Sequence, residues 1–388
     1  MRVKLGIAVL LLAFAAAVYL WPSSWEPRQA PVPVDAVPAG QASVPPAFDG
    51  TNGWAVQGSG DPQLMYPVVA PRAGVVVFRA YGSTSRLVAR DEKSGTLRWA
   101  TRPIPTPAPN STEASPLLTA KDGKEYAVLG ISESQLTHLY VYDTASGGDQ
   151  VAPAREITVA GGPVTYSAFA GGLVAVGGDR TTSVVDVTTG QTTTYPDQDA
   201  ALRPPRACGG CEGRDRVVGV TPSGPLVEGS GAFWVPGGWL VGGSAGTALP
   251  TGQVLAASPS GVWALHDGRT GDIQASVTCR RPDDGTIRNS IVSSDNRYLL
   301  AGPVAFDLQA HQGICLQPST SDKKLDLTTV DITGTAYGTA GGTQVSVSLR
   351  TGQATPLPDA LLPDYVGGNV AVLGKATSSG EIRVYQRR

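Results

Sequence analysis

A five-residue motif, D-x-x-[ST]-G, returns along this chain at nearly even spacing, and that spacing constrains the fold more than any other feature. It reads Asp91-Glu92-Lys93-Ser94-Gly95, Asp143-Thr144-Ala145-Ser146-Gly147, Asp186-Val187-Thr188-Thr189-Gly190 and Asp267-Gly268-Arg269-Thr270-Gly271. Ser348-Leu349-Arg350-Thr351-Gly352 is a degenerate copy, residues 307–313 form a copy with two extra residues, and Ser230-Gly231 keeps only the last two positions. The glycines at 95, 147, 190, 231, 271, 313 and 352 are separated by 52, 43, 41, 40, 42 and 39 residues. A period of this size belongs to propeller blades, small sheets that bury their faces only by stacking on neighbours.

The motif suits a tight turn between two strands. Glycine reaches positive φ without steric cost, and the aspartate accepts hydrogen bonds from backbone N–H groups two residues on. The flanking runs Val75-Val76-Val77-Phe78, Leu139-Tyr140-Val141-Tyr142, Leu173-Val174-Ala175-Val176 and Ser183-Val184-Val185 are strand-like. Residues 291–300 read as strand, turn, strand, and nothing after residue 21 keeps a helical period. Glycine and proline together make about a fifth of the 388 residues, as a turn-rich all-β chain requires, and 41% apolar residues suffice for its core. The spacing puts an eighth hairpin near residue 390, so the last blade lacks its outer strand. Gly53-Trp54-Ala55-Val56-Gln57 resembles that strand, which predicts eight blades closed by the two chain ends. Seven is the alternative, if the weak copy around 216–235 is an insertion.

Tyr66-Pro67-Val68-Val69, Gly74-Val75-Val76-Val77, Leu87-Val88-Ala89-Arg90-Asp91 and Ser94-Gly95-Thr96-Leu97-Arg98-Trp99 together resemble one repeat of the PQQ-like (pyrroloquinoline-quinone-type) β-propeller proteins. Ser115-Pro116-Leu117-Leu118 with residues 139–147 resembles a second. The resemblance covers the first three blades as sequence and residues 54–388 as architecture. It implies that a tryptophan after the glycine docks between blades. Trp99 fits, while Tyr195, Ala275 and Thr355 stand near that place in later copies.

Ahead of the repeats, Arg2 and Lys4 precede residues 5–21, which carry no charge. Seventeen helical residues lie at the short end of a membrane span, and Tyr19, Trp21 and Trp25 suit its interface. The expected organisation is a cytoplasmic head at 1–4, a transmembrane signal anchor at 5–21, a proline-rich linker at 22–52 and the propeller at 53–388. Ala15, Ala16 and Ala17 also suit a cleaved signal peptide, which would release the ring by secretion. Both readings place the ring outside the cytoplasm. No cysteine precedes Cys208, so a lipoprotein anchor is not expected.

Chemistry is harder to find. Charged residues make 16% of the chain at a net −2, which excludes the concentrated basic surface of a nucleic-acid binder. A quinoprotein dehydrogenase, the activity the resemblance suggests first, needs acidic groups, amides and tryptophan converging around a quinone and a calcium ion. Here the repeat turns take up Asp91, Asp143, Asp186, Asp267 and Asp307, and Asp283-Asp284-Gly285 reads as a solvated turn. His138, His266 and His311 are dispersed, unlike paired zinc ligands. No nucleophile elbow or phosphate-binding P-loop occurs, and Asn110-Ser111-Thr112 is a sequon only where the source glycosylates. No catalytic, cofactor or metal residues are assigned. Cys208-Gly209-Gly210-Cys211 has redox-motif spacing, but no helix follows to lower a thiol pKa. Four cysteines in an exported chain read as disulfides, and 208–211 with 279–315 is favoured because Cys279 and Cys315 follow hairpins of consecutive blades. Residues 102–115 and 196–215 depart furthest from the repeat and should lie outside the strands. Arg203, Arg206, Arg214 and Arg216 form a local basic patch there. The functional expectation is a protein-binding or scaffolding module of the cell envelope, its partner an envelope protein. The alternatives are an enzyme or sugar-binding propeller with a site on its loops, and an accessory or sensor subunit of a membrane complex.

Overall fold

The computed structural model describes residues 35–388 apart from 58–62, 82–83, 106–115, 134, 161–164, 170–171, 178–180, 197–198, 206–207, 209–210, 212–215, 281–286, 288–289, 318–323 and 375–380. The expected membrane span at 5–21 lies outside the described residues. Among those described, no helix is long and apolar enough to cross a membrane.

Eight antiparallel sheets follow one another along the chain, each in the order first, second, third, fourth strand. They occupy residues 63–101, 117–160, 165–195, 216–242, 245–278, 290–315, 325–356 and 365–387. We number them blades 1 to 8. First strands touch between most neighbouring blades, with Tyr365–Gly367 of blade 8 against Gln63–Ala70 of blade 1, so they surround the axis of a closed ring. Blade 8 takes its fourth strand, Phe48–Gln57, from the other end of the chain. Gly53 pairs with Tyr385, Trp54 with Val384 and Gln57 with Glu381, the closure that the spacing predicted. The segment 216–242 is a complete blade, so the count is eight and not seven.

Blade 1 shows why these strands are apolar on both faces. Val76, Phe78, Ala80 and Val88 meet Trp54, Val56, Val372, Ile382 and Val384 of blade 8. The alternate residues Val75, Val77, Leu87 and Ala89 meet Ala127, Leu129, Ile131 and Tyr142 of blade 2. Period-two alternation thus divides side chains between two interfaces, each buried large side chain contributing about 1.5–3 kcal/mol.

Four sequence expectations change in detail. Residues 37–52, read as linker, belong to the ring: Val37–Pro38 pairs with Trp54 and Ala55, and Phe48 is fully buried. The hairpin between these strands fills the gap between blades 7 and 8, with Ala42 and Val44 against the cluster of Phe48, Tyr337 and Leu357. Ser230-Gly231 joins the second and third strands of blade 4, whereas the turn corresponding to the motif is 235–239. In blade 6 the positive-φ position, four residues after Asp307, belongs to His311, and Gly313 lies within the strand Gln312–Cys315. In blade 2 it moves from Gly147 to Gly148, because Gly148–Val151 leaves to pair in parallel with Leu97–Thr101 of blade 1.

The motif glycines therefore carry unequal loads. Gly95 sits at φ 71°, and a Cβ there would lie 2.7 Å from the Trp54 ring, whereas a Cβ at Gly147 would meet open space. Gly95→Ala should cost about 1–3 kcal/mol through backbone strain, with the ring contact adding to it. Gly147→Ala should stay within about 0.5 kcal/mol of wild type, as surface changes do. Urea unfolding midpoints check the contrast, and equal midpoints would refute it.

Candidate interaction face

Antiparallel order gives the ring two different faces. Turns after the first and third strands of each blade emerge on one face; turns after the second strand and the links between blades emerge on the other. The first face is built from motif turns. Asp91 Oδ1 accepts the N–H groups of Lys93 (3.0 Å) and Ser94 (2.9 Å), and Asp267 Oδ1 accepts those of Arg269 (2.7 Å) and Thr270 (3.2 Å). Tryptophans of one blade then lock onto the turn of the next. Trp54 Nε1 donates to Glu92 O (3.0 Å), Trp99 Nε1 to Thr144 O (2.8 Å) and Trp239 Nε1 to Gly268 O (3.2 Å), each acceptor following the motif aspartate. Trp239 escaped the sequence reading because it precedes its strand, Leu240–Gly242. Lys121 Nζ reaches Asp186 Oδ2 at 2.6 Å across blades 2 and 3. Burial pushes the Asp186 carboxyl up, but the Lys121 ammonium and the Thr188 and Thr189 donors outweigh it and hold it well below the carboxylate range.

The second face carries the longest connections, those spanning 102–116, 196–215, 279–289 and 316–324. Of the first, the described part extends the outer strand, with Ile104–Pro105 pairing onto Thr84 and Ser85. Both disulfides belong to this face, with the favoured pairing: Cys208–Cys211, Cα atoms 5.6 Å apart, and Cys279–Cys315, 5.2 Å apart. Cys279 follows the outer strand of blade 5 and Cys315 ends that of blade 6, so this bond ties two blades at their rims. Replacing both Cys279 and Cys315 with serine should cost about 2–5 kcal/mol, and replacing Cys208 and Cys211 should cost less because their loop is short. Thermal unfolding of the two variants checks this; a larger loss from the 208–211 pair would overturn the ranking.

Of the four arginines in the basic patch, the described ones are Arg203 and Arg216. A single 3₁₀ turn, Ala200–Leu202, precedes Arg203; Leu202 is buried and its carbonyl accepts Trp234 Nε1 at 2.8 Å. Arg203 is exposed. Arg216 opens the inner strand of blade 4, and its Nε lies 2.6 Å from Glu228 Oε2 on the next strand. Arg206 and Arg214 lie outside the described residues. Tyr81, Leu136 and Val176 are exposed on the same face, at turns after the second strands of blades 1, 2 and 3.

His266 is buried and donates from Nδ1 to Gly271 O at 2.9 Å, His138 bonds Thr158, and His311 lies in its turn. Among the described residues no three His, Cys, Asp or Glu side chains gather as metal ligands. The Asp283-Asp284-Gly285 segment and the sequon at Asn110 lie outside the described residues.

On the turn face, where blade 8 meets blade 1, a cavity of about 440 Å³ is lined by Asn52, Lys93, Asn369, Gln386, Arg387 and Arg388. Sequence reading passed over it, because these residues come from four separate places in the chain. The one visible signal was the polar run 386–388, which breaks the polar–apolar alternation of its strand. Beside it Glu92 is buried; burial raises its carboxyl pKa, opposed by the hydrogen bond from Asn369 Nδ2 (3.4 Å).

No family model matches this chain, and no curated protein matches it. Among solved structures it is similar to the computationally designed Ika8 protein, at 14% identity and TM-score 0.46, over 89% of this chain and 100% of that one. It is also similar to the Cps50 (Swd1) β-propeller domain of Myceliophteria thermophila, at 11% identity and TM-score 0.45, over 85% and 98%. A third is the RRP9 WD40 repeats, at 14% identity and TM-score 0.42, over 90% and 99%. The chain's own strand pairing makes it an eight-bladed, all-β propeller with two disulfides.

Proposed function

We propose that this chain is a non-catalytic PQQ-like propeller, held outside the cytoplasm by its N-terminal apolar segment, that scaffolds an envelope complex by binding a protein partner. The observation that carries the reading is the inequality of the faces. One face is spent on short, cross-bonded turns; the other bears the longest connections and both disulfides. Rigid strands holding variable loops suit protein recognition. Disulfides persist in oxidising compartments, which agrees with export of the ring.

The recognition loop on this reading includes Arg203, Arg206, Arg214 and Arg216. Purification from gently solubilised membranes should bring down one stoichiometric protein. Alanine replacement of Arg203, Arg206 and Arg214 should weaken that capture without moving the melting temperature. Arg216→Ala should act less, since Glu228 already holds its charge. Capture that is unaffected by the three replacements would remove the arginine loop from the reading. Reduction of an artificial electron acceptor by the purified protein with quinone, Ca²⁺ and an alcohol would overturn the non-enzymatic reading.

A further inference from the structure

The closure seam brings together six polar side chains, of which Gln386 and Arg387 are engaged in holding blades together. Asn52 comes from the closing strand, Lys93 from the motif turn of blade 1, and Asn369 from the first turn of blade 8. Gln386, Arg387 and Arg388 end the strand that receives the closing strand. Three carry positive charge and three are carboxamides, around a cavity of about 440 Å³ open to solvent.

The balance of charge decides what this cavity takes. Arg387 Nη2 is committed to Asp331 at 2.8 Å, while its buried Nε has no hydrogen-bond partner among the described residues. Lys93 and Arg388 are exposed and form no ion pair among the described residues. Asp49, the carboxylate of the closing strand near Arg388, is already held by Thr51 through its N–H (3.0 Å) and hydroxyl (2.7 Å). Gln386 uses its amide N–H on Glu92 O at 2.8 Å, leaving its side-chain oxygen as an acceptor. Glu92 and Asp49 attract Lys93 and Arg388 without forming an ion pair, and exposed cations beside amides that both donate and accept match an oxyanion carrying hydroxyl groups.

We propose that the seam cavity binds a small hydroxylated anion, a sugar phosphate or sugar acid, with Lys93 and Arg388 meeting the anionic group and Asn52 and Asn369 the hydroxyls. A ligand held there touches both ends of the chain, so it favours the closed ring over any opened form. The site lies on the face opposite the protein-binding loops and stands or falls independently of that reading.

Calorimetric titration of the full-length protein with glucose 6-phosphate, glucuronate and glucose tests it. At least one anion should bind saturably at one site and raise the melting midpoint with concentration, while neutral glucose binds at least tenfold more weakly. Phosphate-only binding would identify a sugar phosphate, and binding of both anions a general oxyanion site. Lys93→Gln with Arg388→Gln alters two exposed side chains and should leave the ligand-free midpoint unchanged while weakening binding at least tenfold. Lys93→Arg should retain it, and added salt should weaken it. No saturable binding of either anion, equal binding of glucose, or full affinity in the double variant would overturn the proposal.

Discussion

Removing residues 48–57 should abolish cooperative unfolding of the ring, the largest loss expected from any short deletion in this protein. That strand supplies the outer edge of blade 8 and buries Phe48, Trp54, Ala55 and Val56. Without it the strand Glu381–Arg387 becomes an exposed edge, open to pairing with other chains. The apolar burial alone, at about 1.5–3 kcal/mol for each large side chain, rivals the 5–15 kcal/mol by which most domains are stable. Trp54→Ala is the milder version; it should cost about 3–5 kcal/mol and also leave Glu92 O without its indole donor. Deleting 37–45 should act at an intermediate level, since that hairpin packs against blades 7 and 8. Deleting 22–34 should act least. Melting temperatures and aggregation onset measure the series. Equal, small effects from 48–57 and 22–34 would refute the closure.

Asp331→Ala should be nearly as damaging, although it removes only one carboxylate. Asp331 is buried at the junction of blades 7 and 8. Its Oδ2 accepts Arg387 Nη2 at 2.8 Å and Tyr337 OH at 3.1 Å, and its Oδ1 accepts Thr333 N at 2.8 Å and Thr335 N at 3.0 Å. Burial first, and then the Asp331 charge, raises the Tyr337 pKa, so its phenol stays protonated and donates. Arg387 also lies over the Phe48 ring, 5.5 Å from its centroid. Breaking one partner of such a pair leaves the other charge uncompensated, at a cost of about 3–5 kcal/mol. Replacing both, as Asp331→Ala with Arg387→Met, should recover part of that loss. A double-mutant cycle by urea unfolding reads the coupling directly. Strictly additive losses would show that the two side chains do not act as a pair.

Much of this molecule was legible without coordinates, and for one reason: blades are local objects. Strand alternation and the aspartate-glycine turn act over five or six residues, so Val75-Val76-Val77-Phe78 and Asp91 to Gly95 declare themselves. Repetition then supplied the blade number and the unmatched strand at Trp54. The 279–315 disulfide followed too, because its cysteines come after the motif hairpins of two consecutive blades.

What the tertiary structure alone decided concerns contacts between blades, where partners lie far apart in the chain. Trp54 reaches Glu92 across 38 residues, Arg387 reaches Asp331 across 56, and Gln386 reaches Glu92 across 294. No local pattern announces these pairs. Nor could composition show that Gly148–Val151 would leave blade 2 for the edge of blade 1, or that His311 would take a glycine's backbone position. Residues 37–47 looked like linker because they are rich in proline and alanine, and only the gap between blades 7 and 8 gives them something to pack against. The seam cavity has the same origin: closing a ring brings the two ends of the chain together, and side chains unrelated in sequence become neighbours.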